Sequence, residues 1–211
     1  LVITNLYPVP WGPNRASFNK QQFELLSGTL PVKVIILLPW KEWLNHRGEC
    51  QPSPEIKYCP YFYIPKVGRR LVPAFQCFSL LFYLPWIKKQ QFSAVLASWG
   101  FPDALAVSML NKFLNLPFFA KVHGTDVNEN TQFPARSRLM KKWLNKAKTV
   151  FCASEALANV LERKGVNKPK LSVNYNGVNP SVFYPIQEKP HQQHFVFVGS
   201  LIATKGCNEL L

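Results

Sequence analysis

Short apolar runs alternate with helical patterns along most of this chain, and this alternation limits the folds that the chain can form. Each run is too short for a helix and is bounded by turn residues, which is typical of a strand buried on both faces. Four of the runs are residues 32–38, 94–98, 118–122 and 149–153. Strands that alternate with helices predict parallel βαβ units, so we expect an α/β fold with a doubly wound, mainly parallel sheet.

Two helical segments have a distinct character. Residues 135–148 place apolar side chains on one face and six Lys or Arg on the other, which predicts an amphipathic helix with a basic face. Residues 71–87 are mostly apolar with basic residues at both ends, as in a membrane span, but the segment is slightly short and contains Pro73 and Pro85. We therefore predict one core helix there. We also expect Asp103 to cap the helix that follows it.

The pattern lapses after residue 176 into Asn-Gly, prolines and polar residues, which is typical of an interdomain linker. We predict a first domain at 1–178, a linker at 179–194 and the truncated start of a second α/β domain at 195–211, beginning with a strand at 195–198. The chain opens without Met and stops in mid-pattern, so we expect it to be a fragment of a longer protein.

The formal net charge of +14 predicts an anionic partner, which could be nucleic acid, an anionic membrane surface or a phosphorylated small molecule. The basic residues are spread over many elements and do not form a recognisable nucleic-acid module, which disfavours the first of these. The five cysteines include no Cys-x-x-Cys pair and no His at metal-ligand spacing. We expect reduced thiols in a cytosolic protein and no metal site.

Two nucleotide-binding motifs are missing. The first loop lacks Gly-x-Gly-x-x-Gly, since Gly12 stands alone between prolines, and this argues against a dehydrogenase. No Walker loop is present either. Gly199 with Lys205 six residues later, at a predicted helix start, could instead hold a phosphate, because helix amides and a cation both favour an anion. The alternative is that Lys205 is simply solvated.

A polar cluster follows the predicted strand at 118–122 and consists of His123, Gly124, Thr125 and Asp126. In open α/β sheets ligands collect at the carboxyl ends of strands. Glycine lets the backbone approach a ligand, and His and Asp can form hydrogen bonds with a polyhydroxylated or phosphorylated one. The cluster is thus a candidate site, with the alternative that His123 is an ordinary loop residue whose hydrogen bonds are satisfied.

The order of several segments resembles glycosyltransferase family 4, whose members have the GT-B fold. The segments are Trp99-Gly-Phe-Pro-Asp103, His123-Gly-Thr-Asp-Val-Asn128, Ser154-Glu-Ala-Leu157, Asn176-Gly-Val-Asn179 followed by Phe183 and Pro185, and the stretch from Phe197 to Gly206. The resemblance implies two Rossmann-like domains across a cleft, with the acceptor on the N-terminal one and a nucleotide-diphosphate sugar, the donor, on the C-terminal one. It implies no other cofactor and no metal.

The resemblance also assigns roles to residues. His123 would be catalytic, beside the donor sugar near its anomeric carbon. The donor would further contact Gly124, Asp126, Gly199, Ser200 and Lys205, and the N-terminal loop that approaches phosphates or acceptor would include Gly12, Asn14 and Arg15. Ala16 stands where related sequences often have Gly.

The function implied is retaining transfer of a sugar to a glycan or glycolipid acceptor, in polysaccharide or lipopolysaccharide-type assembly. A GT-B-type nucleotide-sugar isomerase (epimerase) and a non-catalytic basic binding module are the alternatives. The expected location is cytoplasmic, with peripheral association at the inner face of the membrane through the basic face of 135–148. We expect residues 1–211 alone to be inactive as a transferase and to bind nucleotide weakly.

Overall fold

The computed structural model describes residues 1–63, 68–185, 196–199 and 206. The chain divides into two compact units, Leu1–Gly177 and Val178–Leu211. Within the described ranges, every helix and strand lies in the first unit.

Seven parallel strands form a single sheet in the order β3-β2-β1-β4-β5-β6-β7. The strands are β1 (Val2–Thr4), β2 (Val34–Pro39), β3 (Ile56–Tyr61), β4 (Val95–Ala97), β5 (Phe118–Val122), β6 (Thr149–Cys152) and β7 (Leu171–Val173). The strand order reverses between β1 and β4, which is the point where doubly wound sheets open a crevice for ligands. The predicted α/β fold with a doubly wound, parallel sheet is confirmed.

Within the residues that the structure describes, eight α-helices connect and cover the strands. They are α1 (Ser17–Ser27), α2 (Trp40–His46), α3 (Val72–Leu81), α4 (Leu84–Lys89), α5 (Leu105–Leu114), α6 (Thr125–Asn128), α7 (Pro134–Leu144) and α8 (Glu155–Arg163). Short 3₁₀ turns precede α3, α7 and β7, and a five-residue π-type turn, Gly100–Ala104, precedes α5. Ser154 caps α8 through a hydrogen bond from the Leu157 N–H to its hydroxyl, as an N-cap serine should.

The sheet has a core on each face, because successive side chains of a strand point in opposite directions. Along β2, Ile35 and Leu37 pack with α3, α5 and α7, whereas Val34, Ile36 and Leu38 pack with α1. The continuous apolar run that marks β2 in the sequence thus reflects burial on both faces.

Two helix predictions need correction. The segment 71–87 forms two helices, α3 and α4, because Pro85 lies in the first turn of α4 and has no N–H to continue α3. The basic helix predicted at 135–148 ends at Leu144, although its apolar side, Met140, Trp143 and Leu144, is buried as expected. Over the residues described, we find no helix with the length and apolar character needed to cross a bilayer.

In the second unit, Val196 and Val198 are strongly exposed and Val196, Phe197 and Val198 form no strand. The strand predicted at 195–198 is therefore not formed over 196–198, the part of it that the structure describes. The positions of Ser200 and Lys205 lie outside the described residues.

Candidate functional site

The candidate site lies where the carboxyl ends of β1, β4 and β5 meet. Asn5 follows β1, Ser98 follows β4 and His123 follows β5, and helix α1 brings Asn19 to the same place. Strands on both sides of the point where the strand order reverses thus contribute to one group of polar side chains. The position of His123 at the carboxyl edge of the sheet is confirmed, while its predicted orientation towards a second domain stays a prediction.

A chain of three hydrogen bonds fixes the orientation of the His123 ring. The amide nitrogen of Asn19 donates to the backbone oxygen of Leu6 over 2.8 Å, so the Asn19 side-chain oxygen faces Ser98. The Ser98 hydroxyl donates to that oxygen over 2.9 Å. Having used its proton, Ser98 Oγ must accept from His123 Nε2, which lies 3.1 Å away. The Leu6 carbonyl, by orienting the Asn19 amide, therefore determines that His123 carries its proton on Nε2.

The His123 ring is also kept neutral. Burial and, to a smaller extent, the nearby Lys121 charge lower its pKa to about 4. A hydrogen bond with the Ser98 backbone raises the pKa and offsets part of this shift. The ring packs between two aromatic side chains, with centroids 5.0 Å from Phe18 and 5.9 Å from Trp99. Its Nδ1 atom is buried and has no hydrogen-bond partner among the residues that the structure describes. A neutral, fixed imidazole with one unused acceptor is the central feature of the site.

Asp126 holds the loop that carries His123. One carboxylate oxygen accepts from the backbone N–H of His123 at 3.0 Å and of Gly124 at 2.8 Å, and the other accepts from Gly100 at 2.7 Å. Burial raises the pKa of this carboxyl, and the backbone donors oppose that shift. The side chain is fully buried, so its geometry is that of a positioning residue. The predicted contact of Asp126 with a donor stays a prediction that this buried geometry does not support.

Two glycines make this arrangement possible. A Cβ on Gly100 would lie 2.9 Å from a methyl of Val122 and 3.0 Å from the Asp126 carboxylate, so only glycine lets the two loops meet. Gly124 has a φ of +140°, a conformation that other residues rarely adopt. A Cβ there would meet no described atom within 4 Å, so the space beside Gly124 is open.

Asp103 does not cap α5, contrary to our prediction. Its fully buried carboxylate accepts from the backbone N–H of Asn5 at 2.6 Å and from the Gln76 side chain at 3.0 Å. It therefore joins the loop after β1 to α3, and the start of α5 follows without a side-chain cap. Burial raises the pKa of Asp103 to about 7, in spite of the hydrogen bonds from Asn5 and Gln76.

The predicted acceptor or phosphate loop lies between β1 and α1. Arg15 donates to Glu42 at 2.6 Å and to the backbone oxygen of Asn5 at 2.9 Å, so its guanidinium stabilises the loop. Gly12 pairs with Val9 in a short antiparallel bridge, and Asn14 is exposed. The ligand roles predicted for Gly12, Asn14 and Arg15 stay predictions, with Asn14 the freest of the three to meet a ligand.

A cavity of about 320 Å³ opens beside this group. Its lining comes from the ends of β1 and β3, the loops after β4 and β5 and the start of α3. Polar side chains contribute Asn5, Arg69, Thr125, Glu129 and Asn130, and the aromatic lining comes from Tyr61, Tyr63, Trp99 and Phe101. Such a mixture of flat apolar surface and separated polar groups suits a ligand of sugar-like chemistry.

The structure reveals partners that sequence reasoning missed. Lys121 is buried on β5 and its ammonium donates to Gln22 at 2.7 Å and to Asn174 at 3.3 Å. Gln22 in turn donates to the Asn176 side chain at 2.9 Å, which ties Asn176 to α1. Ser98 gave a usable signal, since it directly follows a strand, whereas nothing local marked Lys121 or Asn19.

Of the donor residues predicted in the second unit, Gly199 is exposed. Ser200 and Lys205 lie outside the described residues. The part of the site that the structure describes is therefore the group around His123 and the adjoining cavity.

A family model described as Glycosyltransferase Family 4 matches residues 31–182, which is more than half of the chain. The chain belongs to glycosyltransferase family 4. The resemblance seen in the sequence is thereby confirmed. The matched range includes the His-Gly-Thr-Asp loop, with the Asp126 that holds its backbone. A comparison with curated proteins found no match.

Solved structures share the fold. HepE of Anabaena, in complex with UDP and glucose, is similar with a TM-score of 0.56 and 12% identity over 88% of this chain and 46% of HepE. The UDP-N-acetylglucosamine 2-epimerase of Rickettsia bellii has a TM-score of 0.53 and 10% identity, over 83% of this chain and 45% of the epimerase. The UDP-GlcNAc 2-epimerase of Neisseria meningitidis, bound to UDP-GlcNAc, has a TM-score of 0.50 and 18% identity, over 83% of this chain and 47% of the epimerase. The chain has the Rossmann-like architecture of GT-B proteins and spans about half the length of these structures.

Proposed function

We propose that this family 4 chain provides the acceptor side of a retaining glycosyltransferase that transfers a sugar from a nucleotide-diphosphate sugar to a glycan or glycolipid acceptor. Polysaccharide or lipopolysaccharide-type assembly is the natural setting for such a reaction. The observation that carries the proposal is the fixed, neutral His123 at the carboxyl edge of the sheet. Family membership supports the class of reaction.

The chemistry of His123 suits a place beside the reacting sugar carbon. In glycosyl transfer, positive charge develops at that carbon as the leaving group departs. A protonated imidazole would repel this charge, whereas the neutral ring does not. With Nε2 hydrogen-bonded to Ser98 and Nδ1 buried, the ring is held in one orientation at the carboxyl edge of the sheet.

The cavity lined by Trp99, the residue that stacks on His123, supports a place for the acceptor. Aromatic faces at Tyr61, Tyr63 and Trp99 can pack against the C–H face of a sugar ring, while Arg69 and Asn130 can bind hydroxyl or phosphate oxygens. Trp99 both lines the cavity and stacks on His123. An acceptor there would be held close to the donor sugar, which is the main requirement for transfer.

Sugar-transfer kinetics on the full product of the gene that encodes this chain test the proposal. His123→Ala should lower kcat by about a hundredfold or more, the range for loss of a group that acts on the reacting centre. Tyr63→Ala should instead raise the KM for the acceptor. His46→Ala is the matched control, since His46 lies on α2 and pairs with Glu49. Full activity of the His123 variant would refute the assignment.

For the 211-residue chain alone, we propose no transferase activity and no more than weak binding of nucleotide diphosphates. The similar structures are about twice as long, and the predicted donor contacts Gly199, Ser200 and Lys205 belong to the second unit. Calorimetry with UDP and GDP measures this directly. Micromolar affinity of the 211-residue chain would refute this proposal.

A second candidate is a nucleotide-sugar 2-epimerase. It is favoured by the likeness to the epimerases of Rickettsia bellii and Neisseria meningitidis, which have the same fold at low identity. The two functions differ in their need for an acceptor. Incubation with a nucleotide sugar alone, followed by NMR of the sugar ring protons, would yield the epimer for an epimerase and unchanged substrate for a transferase.

A further inference from the structure

Four helices on one side of the molecule contain no acidic residue. They are α3, α4, α5 and α7, and their seven basic residues are Lys88, Lys89, Lys112, Arg136, Arg138, Lys141 and Lys142. In the whole chain, 25 Lys and Arg accompany 11 Asp and Glu, so these four helices concentrate positive charge, whereas α8, on the same face of the sheet, carries Glu155 and Glu162. Such a surface attracts an anionic partner.

Three of these helices lie side by side. Helix α5 packs between α3 and α7 on the face of the sheet that they share. The hydroxyl of Ser108 on α5 donates to the backbone of Trp143 on α7 at 3.4 Å, and the Lys112 ammonium lies 5.4 Å from the Trp143 ring. The outer sides of α3 and α7 therefore belong to one continuous surface of the first unit.

Helix α3 adds an exposed apolar stripe to this surface. Phe78 and Phe82 are 62% and 74% exposed and contact each other edge to face at 5.4 Å. Leu71, the residue directly before the buried Val72, is exposed as well. Phe78 and Phe82 are four residues apart and lie on one side of the helix, and Leu71 lies just before the helix begins. Large apolar side chains held in water at such exposure mark an interaction surface.

Basic residues bracket the apolar stripe. Arg69 and Arg70 precede α3, and Lys88 and Lys89 end α4, all four exposed. Apolar side chains between cations are the pattern of a helix that lies in the plane of a membrane interface, with aromatic rings among the acyl chains and cations at the headgroups. A protein partner would have to be acidic and apolar at once, whereas an anionic bilayer offers both properties over its whole surface.

We propose that the protein docks on anionic lipid bilayers through this surface, here called the docking face. It comprises Leu71, Phe78 and Phe82 as the inserting side chains, with Arg69, Arg70, Lys88, Lys89 and the basic side of α7 at the headgroups. The apolar stripe of α3 anchors the protein, and the cations select the lipid.

The docking face adjoins the cavity described above. Arg69 and Val72, at the start of α3, line that cavity. If the acceptor binds in this cavity, an acceptor linked to a membrane lipid would reach the cavity from the docked bilayer beside it. This consequence rests on the proposed function, whereas docking itself does not, and vesicle binding measures docking without any sugar transfer.

Co-sedimentation with vesicles tests the docking face. The full chain should bind vesicles that contain phosphatidylglycerol at least about tenfold more tightly than phosphatidylcholine vesicles, and lose much of that preference in high salt. Equal binding to both vesicles, or binding to duplex DNA without binding to vesicles, would overturn the proposal.

Matched variants locate the surface. Phe78→Ser with Phe82→Ser should lower vesicle binding about tenfold or more, because two apolar anchors are lost. Leu25→Ser with Leu26→Ser is the control, since both leucines are exposed on α1 across the sheet. Lys88→Gln with Lys89→Gln should weaken binding to vesicles that contain phosphatidylglycerol and leave binding to phosphatidylcholine vesicles unchanged.

Two outcomes of the variant experiment would contradict the docking face. The first is binding of the phenylalanine variant at the wild-type level while circular dichroism shows it folded. The second is a concentration-dependent dimer that the phenylalanine variant abolishes while vesicle binding is unchanged, since the stripe would then be an interface between copies of this chain.

Discussion

The carboxylate of Asp126 accepts a hydrogen bond from the backbone N–H of Gly100 over 2.7 Å. This contact joins the loop after β4 to the loop after β5, and the same carboxylate holds the backbone of His123. The two loops contribute Trp99 and His123, which stack on each other. The position of the candidate catalytic ring thus depends on a buried carboxylate three residues further along the chain.

Replacing Asp126 with Asn should lower the free energy of unfolding by about 1–3 kcal/mol. The amide nitrogen that replaces one carboxylate oxygen cannot accept, so a buried backbone N–H loses its partner. Chemical denaturation measures the change. Glu129→Gln, an exposed neighbour, should differ from wild type by much less, and equal losses in the two variants would contradict the role given to Asp126.

Replacing Gly100 with Ala should cost about 1–3 kcal/mol, the usual range for forcing atoms into a packed region. The new methyl would meet Val122 and the Asp126 carboxylate at 2.9 and 3.0 Å. Gly48→Ala serves as the control, because a Cβ there meets no described atom within 4 Å. Thermal unfolding should distinguish the two alanine variants, and similar melting temperatures would mean that the loops separate easily.

The His123 ring should remain neutral from pH 7 to pH 5 and titrate at about 4. Because the folded-state pKa lies below the unfolded value of 6.5, its contribution to stability is complete above pH 6.5 and is lost as the pH falls towards 4. NMR of the imidazole carbons follows the titration, and His123→Gln identifies the signal by its disappearance. A midpoint near 6.5 would show that the ring is open to water.

Asp103 should give the opposite dependence on pH. Its folded-state pKa of about 7 lies above the ordinary value of 3.8, so the folded protein retains a proton that the unfolded chain releases. This contribution to stability is largest below pH 4 and is lost as the pH rises to 7. The difference in unfolding free energy between wild type and Asp103→Asn should therefore change between pH 5 and pH 8. The exposed Glu55→Gln is the control variant.

Replacing Ala16 with Gly should stabilise the protein by about 0.5–1 kcal/mol, because Ala16 adopts a left-handed conformation with φ of 47° that costs a residue with a Cβ. The structure thus gives a physical reason for the Gly expected at this position in related sequences. Ala74→Gly, on an exposed turn of α3, should instead destabilise by about 1 kcal/mol. Denaturant midpoints that shift in the same direction would refute this prediction.

Much of the fold was predictable because its signals are local. An apolar run bounded by Pro and Gly indicates a buried strand wherever it occurs, and the alternation with helices indicates a parallel sheet. Where a signal was ambiguous, the prediction was wrong: residues 71–87 look like one apolar helix, yet the missing N–H of Pro85 divides them into two.

By itself, the sequence determined the α/β class, the parallel sheet and the place of His123 at its carboxyl edge. Only the tertiary structure decided which groups surround that histidine. Ser98 meets Asn19 across 79 residues of chain, and Asn5 meets Asp103 across 98. Such pairs leave no periodic trace, because each partner is an ordinary polar residue until folding removes water and leaves it one hydrogen-bonding choice. The tautomer and the lowered pKa of His123 follow from that burial, so they belong to the folded molecule alone.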